Sequence, residues 1–263
     1  MQFLYQQTNF QFRISVFLLL WMRVCMFSNQ FLGTFNFTQM IQIINIPTEQ
    51  TTAATDVVMA FVALMVTLKV YQYGKDIDRK KTMIWVWAFG LLTFAAAIGA
   101  VAHGFQMSKF TNFLLWQPLN LALGIAIGLF AAGVVYDYKN FRLPKKLIPI
   151  LLVFAVVFFT VTVIIPNAFI VFIVYEAIAM IYALIVYIIL ASHGKVKGAG
   201  LMATGILVTI IAAAIQAVET IKVTFIWQFD HNGIFHIVQM IGLLILLKGL
   251  QIEFMSRVGK KTA

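Results

Sequence analysis

The feature that most constrains this chain is a series of long apolar runs, each closed off by Lys and Arg. They fall at roughly 52–73, 82–104, 112–136, 147–165, 168–191, 200–221 and 232–250. Runs of about 20 residues match the thickness of a bilayer core. Of the 263 residues, 62% are hydrophobic and 11% charged, against about 25% charged in a soluble domain. Surface grows too fast relative to volume for a water-soluble fold to bury that much apolar side chain. The expected fold is all-α, an integral membrane bundle of seven transmembrane helices over residues 50–255, with no room for a second domain.

The net charge is +10. In a soluble protein that balance would point to nucleic acid. Here the basic residues sit between apolar runs, so membrane lipid is the expected partner and nucleic acid is not. Lys75, Arg79, Lys80 and Lys81 fall in the first loop, Lys139, Arg142, Lys145 and Lys146 in the third, and Lys195 and Lys197 in the fifth. Arg257, Lys260 and Lys261 follow the last run, in a basic tail over 256–263. The even loops carry only Lys109 and Lys222. The positive-inside rule then predicts a multi-pass protein of the cytoplasmic (inner) membrane, N-terminus out and C-terminus in. The single cysteine, Cys25, excludes an intrachain disulfide.

Residues 1–49 stand apart. The stretch 14–27 is apolar but short for a span and interrupted by Arg23. Either translation starts at Met40 or the stretch forms an extra hydrophobic helix on the bundle. Gly124 and Gly128 in the third run are spaced for close helix packing.

Ionisable groups are costly in lipid, so those within spans mark candidate function. Asp56 and His103 lie near the outer ends of runs one and two, and Glu219 near the outer end of run six. Glu176 is the deepest acid, about 12 Å below the outer surface at helical rise. Asp230 and His231 precede run seven, and His236 lies one turn inside it. Asn232, His236 and Gln239 share one helical face, as do Gln216 with Glu219 and Gln117 with Asn120. Together they outline a polar chamber in the outer half of the bundle.

Three imidazoles and carboxylates form a ligand set suited to Zn²⁺, with His103, His231 and His236 as metal candidates. Asp56, Glu176 and Glu219 are the candidate catalytic acids or proton shuttles. Structural hydrogen bonding and axial haem ligation are competing uses of His103 and His236. On a continuous helix His231 and His236 point about 140° apart. Sharing a metal therefore needs His231 outside the helix, with Asn232 as the N-cap.

The stretches Ala102-His103-Gly104-Phe105 and His231-Asn-Gly-Ile-Phe-His236-Ile-Val-Gln resemble the span-two and span-seven motifs of the CREST superfamily, which includes alkaline ceramidases, progestin and adipoQ receptors and haemolysin-III-like proteins. They are also similar to a group of uncharacterised bacterial seven-helix proteins. The resemblance covers about residues 52–250 and rests on a dozen residues. It implies a zinc-dependent membrane hydrolase acting on a lipid amide or ester at the outer leaflet. Three positions depart from the pattern. Gly99 stands where the family has Ser, residues 111–120 hold no acid, and Asn232 stands where the first His of the span-seven pair belongs. The alternatives are a non-enzymatic ligand-binding or sensor protein, and a single-haem electron carrier.

Overall fold

The structure is a computed structural model that describes residues 42–165 and 169–261. The apolar stretch 14–27 and the candidate start at Met40 lie outside the described residues.

Seven helices follow one another: α1 (Pro47–Gly74), α2 (Arg79–Gly104), α3 (Lys109–Tyr138), α4 (Leu147–Ile164), α5 (Phe169–Ser192), α6 (Ala199–Gln216) and α7 (His231–Lys261). All seven are long and apolar enough to cross a membrane. Their starts follow from local chemistry. Pro47 sits at the first turn of α1, where its missing N–H costs nothing. Asp78 and Ser108 cap α2 and α3 by accepting from the N–H groups of Lys81 and Thr111.

α6 ends at Gln216, five residues before the expected end of its run. The chain then turns through Glu219 and forms a short antiparallel hairpin, β1 (Lys222–Thr224) with β2 (Gln228–Asp230), pairing Val223 with Phe229. β-branched and aromatic residues favour this extended pairing over a further helical turn. At the other extreme α7 continues through the expected tail to Lys261.

α1, α2, α3, α5, α6 and α7 pack neighbour to neighbour into a closed ring, and α4 leans on its outside against α3 and α5. Only 11% of the α4 span is buried against protein. Val153, Phe154, Val156 and Val157 are all exposed on it. Inside the ring the core is Val66, Trp85, Phe89, Phe130, Met180, Leu243 and Leu246. Close approaches are set by residues without side chains. Gly124 and Gly128 of α3 face Phe158 and the Leu151 backbone of α4, so the G-x-x-x-G pair packs two helices within the bundle.

Gly198, at the start of α6, combines φ +81° with a position where a Cβ would overlap the carbonyl oxygen of Gly249. Gly198→Ala should therefore cost about 1–3 kcal/mol, read as a lowered thermal midpoint in detergent. Gly200→Ala, where a Cβ meets open space, should leave the midpoint unchanged or slightly raised.

Candidate functional site

Two polar clusters occupy opposite ends of the ring. The first gathers where α1 and α7 begin and α2 ends. His236 of α7 is buried and uses both ring nitrogens. Nδ1 lies 2.9 Å from Thr55 Oγ1, and Nε2 lies 3.3 Å from Asp56 Oδ1. Asp56 is 3% exposed, and its Oδ2 has no hydrogen bond. His103 closes α2 with Nδ1 2.6 Å from Glu49 Oε2. Asp230 ties the hairpin to the bundle, its Oδ1 accepting from Thr52 Oγ1 and from Gly233 N–H, each at 2.9 Å.

Gly99 leaves room for a carboxylate from the neighbouring helix. A Cβ at this position would sit 2.9 Å from Asp56 Oδ2 and 3.0 Å from Oδ1. The Asp56 carboxylate, reaching across from α1, occupies the space a Ser side chain would enter. Of the three acids singled out in the sequence, Asp56 is the one beside a histidine.

The other sequence-selected residues divide between this cluster and other surroundings. Gly233 N–H makes Asp230, rather than Asn232, the cap of α7, because the Asp230 carboxylate stands three residues ahead of that donor. His231 is therefore helical and does not project ahead of the helix as expected. Its five-residue offset turns it about 140° from His236, and its Nδ1 is buried without a partner. Asn232 accepts from Gln216 Nε2 at 3.2 Å, joining α6 to α7. Glu219 is exposed in the turn beyond α6, so it no longer shares a helical face with Gln216. Gln117 donates to the Phe113 carbonyl of its own helix, and Asn120 is half-buried on the same helix. Glu176 and Gln239 meet deeper, at a cavity inside the ring.

The second cluster was not among the sequence candidates. Lys81, assigned above to the first loop, lies within α2 and is 0% exposed. Its Nζ contacts Asp137 of α3 at 2.7 and 2.9 Å and Glu253 of α7 at 3.0 Å. Tyr187 of α5 donates to Asp137 Oδ2 at 2.8 Å. Arg257 pairs with Glu253 one turn back and with Asp78 at 2.8 Å, and Tyr136 donates to the same Asp78 carboxylate. Phe141 covers the group, its ring centroid 3.5 Å from the Arg257 guanidinium carbon and 5.8 Å from Lys81 Nζ. It does so at φ +63°, a left-handed conformation that costs a non-glycine residue energy. One sequence signal was available. Asp137 and Glu253 are acids inside or beside apolar runs, whose charge calls for a partner.

A family model matches residues 51–253. The chain belongs to DUF6962, a family of unknown function. Comparison with curated proteins and with solved structures finds no match. The DUF6962 span takes in Asp56, His103 and His236 as well as Lys81, Asp137 and Glu253, while Glu49 and Arg257 lie just outside it.

His236 Nε2 and Asp56 Oδ1 face each other at ion-pair distance. Their separation also suits a shared ion. Zinc bonds of about 2.0–2.1 Å place adjacent tetrahedral ligand atoms about 3.3 Å apart, and His236 Nε2 and Asp56 Oδ1 stand 3.3 Å apart. Among the described residues no three His, Cys, Asp or Glu groups converge closely enough to hold an ion as they stand.

Removing one partner of a buried ion pair strands the other charge. Lys81→Met should destabilise the protein by about 3–5 kcal/mol. In Lys81→Met with Asp137→Asn part of that loss should return, because one stranded carboxylate is gone; a double-mutant cycle of thermal midpoints measures the coupling. The Asp78 contribution is pH-dependent. Burial pushes its carboxyl up, but the Lys81 N–H, Tyr136 and Arg257 outweigh this and hold it below its ordinary 3.8. A lowered folded-state value stabilises above the unfolded value, and that stabilisation disappears as pH falls through the folded one. Asp78→Asn should thus be less stable than wild type at neutral pH, with the gap closing below about pH 4.

Proposed function

We propose that the chain is a multi-pass membrane protein with its N-terminus outside and its C-terminus in the cytoplasm, and that it is a zinc-dependent hydrolase of a lipid amide or ester. The membrane assignment is supported by the apolar exterior of α4 and by the Lys and Arg still exposed at one end of the ring, among them Lys75, Lys80, Lys139 and Lys195. With Lys81 and Arg257 removed from that count, the loops still carry the same bias. The cytoplasmic membrane of a bacterium is the setting this orientation fits.

The observation that carries the enzymatic reading is the buried Asp56–His236 contact, with His103 at the neighbouring end of α2. Asp56 and His236 would supply two zinc ligands, and their separation fits an ion between them. His103 would supply the third through Nε2, since its Nδ1 already holds the Glu49 carboxylate, the contact that fixes ring orientation in ligating histidines. His231, facing elsewhere on α7, is not part of this set. A bound zinc ion would supply a water of lowered pKa for attack on the acyl carbon. Glu49 orients His103, Thr55 orients His236, and Gly99 leaves the space that the Asp56 carboxylate occupies.

A second reading, a pocket that binds ligand without turnover, is favoured by one observation. His236 already spends both ring nitrogens on protein groups. Metal analysis of purified protein separates the two. About one zinc per chain is expected in wild type, with loss from the His103→Ala/His236→Ala double variant and retention in His231→Ala. Wild type free of zinc after purification without chelators would leave the ligand-binding reading standing and end the hydrolase one.

A further inference from the structure

The six-helix ring does not close completely at its axis. A cavity of about 80 Å³ remains, bounded by α2, α3, α5, α6 and α7. Its walls are apolar, Phe89, Phe130 and Leu243 among them, with three exceptions: Glu176 of α5, Thr209 of α6 and Gln239 of α7. All three are at least nine-tenths buried. Glu176 Oε2 and Gln239 Oε1 have no hydrogen-bond partner. Thr209 commits its hydroxyl proton to the Gly205 carbonyl at 3.1 Å, so toward the cavity it can only accept.

Three acceptor oxygens thus line one cavity that holds neither Lys, Arg nor His. A lone carboxylate in such surroundings is costly unless a counter-charge joins it. Carboxylate, amide carbonyl and hydroxyl are the donors hard cations prefer, usually with water completing the shell. Room for water exists, since one molecule needs about 10–15 Å³ of such space. The charge balance sets the valence. One carboxylate neutralises one positive charge, and a divalent ion would leave a net charge in an apolar core.

We propose that Glu176, Thr209 and Gln239 form a binding site for a small monovalent cation, with Na⁺ the species to test. The site is separate from the histidine cluster and does not depend on the hydrolase reading. Filling it would join α5, α6 and α7 where the ring is otherwise open.

The test uses full-length protein in detergent, with NaCl exchanged for choline chloride at constant ionic strength. Wild type should gain several degrees of thermal midpoint with saturating Na⁺, because a ligand that binds only the folded state stabilises it. Glu176→Gln should show no such gain, and Thr209→Val should need a several-fold higher Na⁺ concentration for half its effect. Retention of ²²Na⁺ by wild type, displaced by unlabelled NaCl, reads the same site without relying on variants that fail to fold. Equal midpoints in the two salts with no ²²Na⁺ retained would overturn the proposal, leaving Glu176 protonated and bonded to its neighbour. A larger gain with CaCl₂ that vanishes in Glu176→Gln would overturn the monovalent assignment.

Discussion

The ammonium group of Lys81 sits where α2, α3 and α7 meet, with no contact to solvent. An unpaired charge there could not be tolerated, so Asp137 and Glu253 have to come to it, and Tyr187 brings α5 to Asp137. This requirement selects the arrangement of four helices more sharply than apolar packing does. Leucine against phenylalanine tolerates many rotations of a helix about its axis, whereas a salt bridge at 2.7 Å tolerates very few. Buried pairs add little net stability compared with an apolar replacement. We take specificity of packing as their contribution here.

At the opposite end the bonds are of another kind. Imidazoles, carboxylates and threonine hydroxyls form paired contacts, with one carboxylate oxygen left over at Asp56. The Lys81 group is covered by Phe141, and its Asp137 carboxylate accepts from both Lys81 and Tyr187. The histidine group keeps the Asp56 acceptor unspent beside His236.

The fold was largely legible. Span number and approximate boundaries follow from apolar length alone, because the helix must match a fixed thickness whatever its neighbours. The ends were less legible. α6 stops early and α7 runs long because hairpin pairing and ion pairing at their ends decide the matter, and neither leaves a mark in hydropathy. His103, His236 and Asp56 stood out as candidates because an ionisable group inside an apolar run is conspicuous. Glu49 and Thr55 were missed, since an acid just ahead of a span and a threonine in its first turn look like ordinary polar boundary. Lys81 was misplaced for a related reason. A lysine at the edge of a run looks identical whether it turns to water or to a carboxylate on another helix, and only the partner's position distinguishes them.

Along α7, His236, Gln239, Leu243, Leu246, Leu250, Glu253 and Arg257 follow one another at alternating steps of three and four residues. Hydrogen-bonding groups occupy both ends of this stripe and leucines its middle. The helix therefore acts as a gauge. Deleting one residue among the leucines would shorten the distance between the two clusters by about 1.5 Å and rotate one against the other by about 100°. The chemically plainest part of the helix, where one apolar side chain exchanges readily for another, is thus the part whose length has the least freedom to change.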